Sequence, residues 1–182
     1  MARYHLLFIP GLGDRTWLYR LALPLWRLLG YEPHVFRFGW SGRADDLGQK
    51  QAALVRYVDA LPPGPLHVIG ASAGGTAAVN LLAARPTIHS VITIASPLKP
   101  KRTPNELLTA SIAEADQFLA TAPDNAKNKV TSVYGWYDER VPVSKSRRPG
   151  IRGLQLPAIG HGLTIFVAVT VFAGALQTYQ ER

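Results

Sequence analysis

Apolar positions in this chain follow two rhythms that alternate from one end to the other. Short runs rich in β-branched and aromatic residues read as strands: Tyr4 to Ile9, His34 to Phe38, Leu66 to Ile69, Val91 to Ala95, Val130 to Tyr134 and Leu154 to Pro157. Four or five of these are apolar enough to be buried on both faces. Between them, apolar residues recur at helical spacing. Leu47, Leu54, Val55, Val58 and Leu61 mark one helix, and the small and aliphatic run Ala73 to Ala84 marks another. Thr103-Pro104-Asn105-Glu106 has the form of a capping box with proline at the first helical position, so a helix is expected to begin there and run through Leu108, Ile112 and Phe118 toward Leu119. Pro24 interrupts the Trp17 to Leu29 pattern, which predicts a first helix that is kinked or starts late, near Leu23. The longest apolar stretch, Leu163 to Leu176, falls short of the roughly 20 residues that cross a bilayer and reads as a core helix. Alternation of this kind predicts an α/β fold: a doubly wound, mostly parallel sheet of about six strands flanked by helices.

Composition narrows the chemistry. A length of 182 residues suits one domain spanning 1–182, without repeats or linkers. Hydrophobic residues make up 47% and charged residues 18%, which excludes disordered and collagen-like classes. The absence of cysteine rules out a disulfide framework, a thiolate metal site and a cysteine nucleophile, so any nucleophile is an oxygen or a nitrogen. The histidines are isolated in sequence and form no metal motif, and neither a metal nor another cofactor is expected. The apolar start breaks at Pro10-Gly11 with no cleavage site after it, so the expectation is a cytoplasmic protein without signal peptide or transmembrane segment.

The segment Gly70-Ala71-Ser72-Ala73-Gly74 follows the strand Leu66 to Ile69 and opens the helix that begins at Ala73, the setting a nucleophile elbow requires. With 16 Gly and 8 Ser in the chain, a G-x-S-x-G pattern arises by chance roughly 0.06 times before any demand on its flanks. The tight strand-to-helix turn needs small residues on either side of the serine, and it lays Ser72 against a helix N-terminus that favours developing negative charge. In this architecture the partners follow in the order Ser, Asp or Glu, His. His5, His34 and His67 precede the serine and His89 opens the next strand, leaving His161, in the glycine loop Gly160-His161-Gly162, as the base. Asp138 follows the penultimate strand and is chosen as the acid that holds His161 in the useful tautomer, with Glu139 its near rival. The turn Pro10-Gly11-Leu12-Gly13 offers the Leu12 N–H, and the elbow offers the Ala73 N–H, as an oxyanion hole. A dinucleotide fingerprint fails there because its third glycine position holds Thr16.

Together these residues resemble the α/β-hydrolase superfamily over nearly the whole chain, and by length and layout the small lidless bacterial lipases and esterases within it. The resemblance implies a Ser-His-Asp esterase working through an acyl-enzyme. The chain departs from the commonest pattern at Ala71 and Pro10, where a histidine often stands, which bears on the pocket wall and substrate class.

Only a basic loop and one helix are expected between Ser96 and Ala122, so no large cap fits and the site is expected to be open and shallow. Gly11, Leu12, Trp40, Trp136, Tyr137, Val141 and Leu163 are candidate pocket residues, for a small acyl ester or lactone substrate. The net charge of +8 concentrates in Lys99-Pro100-Lys101-Arg102 and in Arg140, Lys145, Arg147, Arg148 and Arg152, an expected place for weak attraction of anionic substrates or acidic surfaces. No nucleic-acid module is present. Two further readings use the same residues: a lactonase or thioesterase with this triad, and a catalytically silent binding protein of the same fold.

Overall fold

A computed structural model describes residues 4–180, with side chains described through residue 176. Six strands form one sheet: β1 (Tyr4–Ile9), β2 (Tyr31–Val35), β3 (Leu66–Ala71), β4 (Ser90–Ile94), β5 (Val130–Tyr137) and β6 (Arg152–Ile159). Their order is β2-β1-β3-β4-β5-β6 and every pairing is parallel. The helices are α1 (Trp17–Leu28), α2 (Leu47–Asp59), α3 (Ala73–Ala84), α4 (Glu106–Thr121), α5 (Asp124–Lys127), α6 (Val143–Ser146), α7 (His161–Val169) and α8 (Ala173–Gln180). Among the described residues, no helix is long and apolar enough to cross a membrane.

The central strands β1, β3 and β4 are mostly apolar and, apart from Tyr4, buried throughout because both sheet faces are covered. On one face Leu7, Ile9, Val68 and Val91 pack with Leu54 of α2, Ala77 of α3 and Ile112 of α4. On the other, Phe8, Ile69 and Ile92 pack with Trp26 of α1 and Ala168 of α7. The two edge strands each carry a proline, Pro33 in β2 and Pro157 in β6, where the missing N–H costs no ladder bond on the open side.

Four elements differ from the sequence expectation. The apolar run Leu163 to Leu176 is not one core helix but parts of two, α7 and α8, separated by a turn at 170–172. The second strand covers Tyr31–Val35 rather than His34 to Phe38, because the Asp14 carboxylate takes the N–H groups of Phe38 (3.0 Å) and Gly39 (2.9 Å) and draws that segment off the sheet. Phe36 and Phe38 then pack under the α2 side of the core, so their apolar signal belongs to a buried loop. Helix α1 begins at Trp17 and runs through Pro24, which lies exposed on the same face as Arg20, so the carbonyl deprived of its partner faces water. Helix α4 is capped by Asn105 rather than Thr103: the Asn105 side chain accepts the Leu108 N–H at 2.8 Å, and Thr103 Oγ1 donates instead to the Asn105 carbonyl at 2.9 Å.

Candidate active site

The turn from β3 into α3 is built by what it cannot contain. A Cβ on Gly70 would stand 2.3 Å from the Gly74 carbonyl oxygen, and one on Gly74 would stand 2.0 Å from the Ile9 carbonyl oxygen, so both positions exclude any side chain. Between them Ser72 takes φ 53° and ψ −123°, a conformation that costs a non-glycine residue about 1–3 kcal/mol. Its amide donates to the Ile94 carbonyl (2.8 Å) and its carbonyl accepts from Gly75 N–H (3.1 Å), which holds the strained residue in place. Ser72 thus stands at the carboxyl edge of the sheet, at the N-terminus of a helix whose first ten residues are buried.

Asp138 follows the last residue of β5, and its carboxylate is shared between backbone and imidazole. Oδ1 accepts the N–H groups of Arg140 (2.8 Å) and Val141 (2.7 Å), which fixes the loop, while Oδ2 lies 2.8 Å from His161 Nδ1. Both side chains are nearly buried, at 2% and 9% exposed. Burial by itself would raise the Asp138 pKa, but the hydrogen bond from His161, the Val141 and Arg140 amides and the attraction of the imidazole outweigh it and hold the carboxyl below its ordinary value. A carboxylate only accepts, so His161 Nδ1 carries the hydrogen and Nε2 keeps its lone pair.

His161 does not swing in a flexible glycine loop as the sequence suggested; it is the first residue of α7. Gly160, at φ 100° and ψ 145°, turns the chain from β6 into that helix. Three bonds lock the corner: Gly160 N–H to the Tyr137 carbonyl (2.8 Å), His161 N–H to Glu139 Oε2 (3.0 Å) and Thr164 Oγ1 to the Gly160 carbonyl (2.9 Å). Asp138 rather than Glu139 meets the imidazole, and Glu139 tethers the histidine backbone.

The turn after β1 closes with Asp14 N–H donating to the Gly11 carbonyl at 3.0 Å, with Gly13 at φ 84°. A Cβ on Gly11 would lie 2.8 Å from Ser72 Cβ and 3.3 Å from its Oγ, so this turn passes directly over the serine. Among the described residues neither the Leu12 nor the Ala73 amide donates to a protein acceptor, leaving both available beside Ser72.

Ser72, His161, Leu12, Gly11, Val141 and Leu163 line one cavity of about 1030 Å³. That volume is at the upper end for small-molecule pockets, and several lining side chains, Leu12 and Leu163 among them, remain about half exposed. The segment 95–105 borders the cavity through Pro97 and residues 101–105 and contains no helix. Trp40, Trp136 and Tyr137 do not line it. Trp40 is buried and its Nε1 donates to the Pro10 carbonyl at 3.1 Å, which makes it a strut under the turn. Trp136 and Tyr137 continue β5 past its covered part and are 61% and 60% exposed.

The model of the alpha/beta hydrolase family matches residues 6–176. The chain belongs to this family. No curated protein matches the sequence. Among solved structures, it is similar to the monoacylglycerol lipase of Paleococcus ferrophilus (12% identity, 97% of this chain and 93% of that one, TM-score 0.68). It is also similar to the ydeN gene product of B. subtilis (12%, 98% and 100%, 0.70) and to the thioesterase domain from the curacin biosynthetic pathway (17%, 99% and 91%, 0.63). At these identities the likeness is one of fold.

Several residues that shape this hydrolase site escaped the sequence reading. Gly135 leaves room for α7, since a Cβ there would stand 2.4 Å from Thr164 Oγ1. Asp14, at φ 46°, ties the turn over Ser72 to the segment after β2, and Asn105 Nδ2 donates to the Trp40 carbonyl at 2.8 Å. The ties of Asp14 to Phe38 and of Asn105 to Trp40 join positions 24 and 65 apart and leave no local signal in the sequence.

Proposed function

We propose that this hydrolase cleaves carboxylic esters through an acyl-enzyme formed on Ser72. The observation that carries this reading is the buried 2.8 Å Asp138–His161 hydrogen bond opening onto the same cavity as a serine held at positive φ. A binding protein would have no use for a strained serine beside an oriented imidazole, which argues against the silent reading.

In the acylation half, His161 Nε2 takes the Ser72 Oγ proton as the oxygen attacks the acyl carbon. The N–H groups of Leu12 and Ala73 receive the oxyanion, and the N-terminal dipole of α3 adds to their effect. Asp138 stabilises the imidazolium formed in that step. The imidazolium then gives its proton to the departing alcohol, a water deprotonated by His161 attacks the acyl-enzyme, and the acid leaves with Ser72 restored. Among the described residues Ser72 Oγ has no hydrogen bond to His161, and in such enzymes this contact often tightens only when substrate binds.

The same chemistry would open lactones and thioesters. Labelling with a fluorophosphonate, read by mass spectrometry, is expected at Ser72, and Ser72→Ala is expected to lose on the order of 10⁶ in kcat toward 4-nitrophenyl esters. Absence of labelling, or full activity in Ser72→Ala, overturns the proposal.

A further inference from the structure

The cavity over Ser72 has two unlike walls. One is apolar: Trp17 of α1 and Leu163 and Phe166 of α7 line it while remaining 60%, 50% and 42% exposed, so hydrocarbon surface faces the space a substrate would fill. The other is cationic. Arg15, Lys101, Arg102 and Arg140 line the cavity against a single lining carboxylate, Glu139. That carboxylate is already engaged, with Oε2 accepting the His161 amide and Oε1 lying 3.9 Å from Arg140 Nε. Lys101 Nζ donates to the Arg140 carbonyl and so fastens the segment before α4 to the loop after β5. Among the described residues, Arg15 and Arg102 pair with no carboxylate.

Several cations elsewhere in the molecule are held by protein acceptors. Arg148 pairs with Asp116 and caps the Leu98 carbonyl, Arg85 pairs with Asp59, and Lys145 donates to the Pro100 carbonyl. Those hold loops together. At the cavity Arg15 and Arg102 have no carboxylate partner among the described residues, Glu139 offsets only part of the charge, and a cleft with apolar walls strengthens the field of the charges that line it.

Resting on the ester-hydrolase reading, we infer that this site takes an amphipathic anionic substrate: an ester or thioester with an apolar chain on one side and a carboxylate or phosphate on the other. The hydrocarbon lies along Trp17, Leu163 and Phe166, and the anion meets Arg15, Arg102 and Arg140. A wholly neutral ester would leave this cationic wall without a partner. Two or three exposed cations within about 4 Å of an anion give a preference of about tenfold or more in water.

Matched esters test this. Mono-4-nitrophenyl adipate is compared with 4-nitrophenyl hexanoate, which places the anion on the acyl side. Hexanoyl glycerol phosphate is compared with hexanoyl glycerol, which places it on the alcohol side. At low salt the anionic member of at least one pair is expected to show about tenfold higher kcat/KM, falling toward parity near 0.5 M salt. The Arg15→Gln/Arg102→Gln double variant is expected to bring the ratio toward one, while the Arg27→Gln/Arg56→Gln double variant, an equal change in net charge on exposed positions of α1 and α2 outside the cavity, keeps it. Ratios near one in both pairs, or a preference unchanged in the double variant, overturn the inference. If Ser72 labels with fluorophosphonate but none of the four esters turns over, the comparison is read from protection: adipate shielding Ser72 no better than hexanoate overturns it equally. Labelling with turnover but no anion preference removes this inference alone, whereas absence of labelling removes the ester-hydrolase reading and this inference with it.

Discussion

Two residues at the site are fixed by opposite means, one by absent atoms and one by hydrogen bonds. At Gly74 a methyl group would collide with the Ile9 and Pro10 carbonyl oxygens, at 2.0 and 2.7 Å, and both are backbone that cannot turn aside. Gly74→Ala is therefore expected to cost at least the roughly 1–3 kcal/mol of an overpacked core, and to displace β1 from the elbow. Gly162→Ala, one residue into α7 with nothing within 4 Å of the new methyl, is expected to be neutral or to stabilise by up to about 1 kcal/mol. Urea denaturation of the two variants checks the contrast. Asp138 is held by bonds rather than by space. Asp138→Asn keeps the acceptor for the Arg140 and Val141 amides but turns an N–H toward His161 Nδ1. The imidazole then moves its hydrogen to Nε2 and can no longer take the serine proton, so kcat is expected to drop about 10⁴-fold, with the unfolding midpoint changing far less. Glu139→Gln, which keeps an acceptor for the His161 amide, is expected to change kcat by only a few fold. A larger loss in Glu139→Gln than in Asp138→Asn would show that Glu139, not Asp138, orients the base.

At the level of elements, the turn after β1 depends on a chain of contacts that crosses the sheet edge. Trp40 Nε1 supports the Pro10 carbonyl, Asn105 of the α4 cap holds the Trp40 carbonyl, and Asp14 grips the Phe38 and Gly39 amides. Trp40→Phe keeps most of the buried ring and removes one donor, leaving the Pro10 carbonyl unpaired at a cost of about 1–3 kcal/mol. On the proposed oxyanion role, the Leu12 N–H two residues further on acts only as charge develops, so kcat is expected to fall about ten- to a hundredfold with KM nearly unchanged. A rise in KM at constant kcat would instead place Trp40 in substrate binding. Such ties explain what the sequence made legible. Strands β1, β3, β4 and β5, the elbow and the order of Ser72, Asp138 and His161 were readable because each depends on local pattern: a buried apolar run, glycines at fixed offsets, a polar residue just after a strand. The second strand was misplaced because Asp14, more than twenty residues away, decides where the segment leaves the sheet. Trp40 was read as pocket wall because its apolar bulk is visible in sequence and its hydrogen-bond partner is not. Trp136 and Tyr137 failed for the reverse reason: strand β5 continues beyond its cover, and periodicity does not report where the covering helices stop.

For the whole molecule, the end of the sheet opposite Ser72 sets a limit of its own. His67 on β3 is buried among the rings of Tyr4, Tyr31 and His89, with Nδ1 2.8 Å from Ser90 Oγ. Burial, reinforced by the nearby His89, lowers its pKa from 6.5 to about 4. Folded His67 therefore refuses a proton that the unfolded chain accepts between those values. Stability is full above pH 6.5 and falls on acidification through that window, by up to about 1.4 kcal/mol per pH unit where the proton difference approaches one. Asp138 acts in the next window down. Its folded pKa lies below the ordinary 3.8, so its contribution is present above that value and is lost as pH falls through the lower one. The two losses are thus in sequence, the edge remote from the site first, and they fall on a chain whose net charge of +8 grows as carboxylates protonate and repulsion rises. Denaturation midpoints taken from pH 7 to pH 4 are expected to decline steadily, and His67→Phe, which keeps an aromatic ring in the same nest, is expected to flatten the decline even though the unpaired Ser90 hydroxyl lowers stability at pH 7. A variant whose slope between pH 6.5 and 4 matches that of the parent would mean that the proton responsible binds elsewhere, with His34, whose pKa is lowered by burial, the next group to remove.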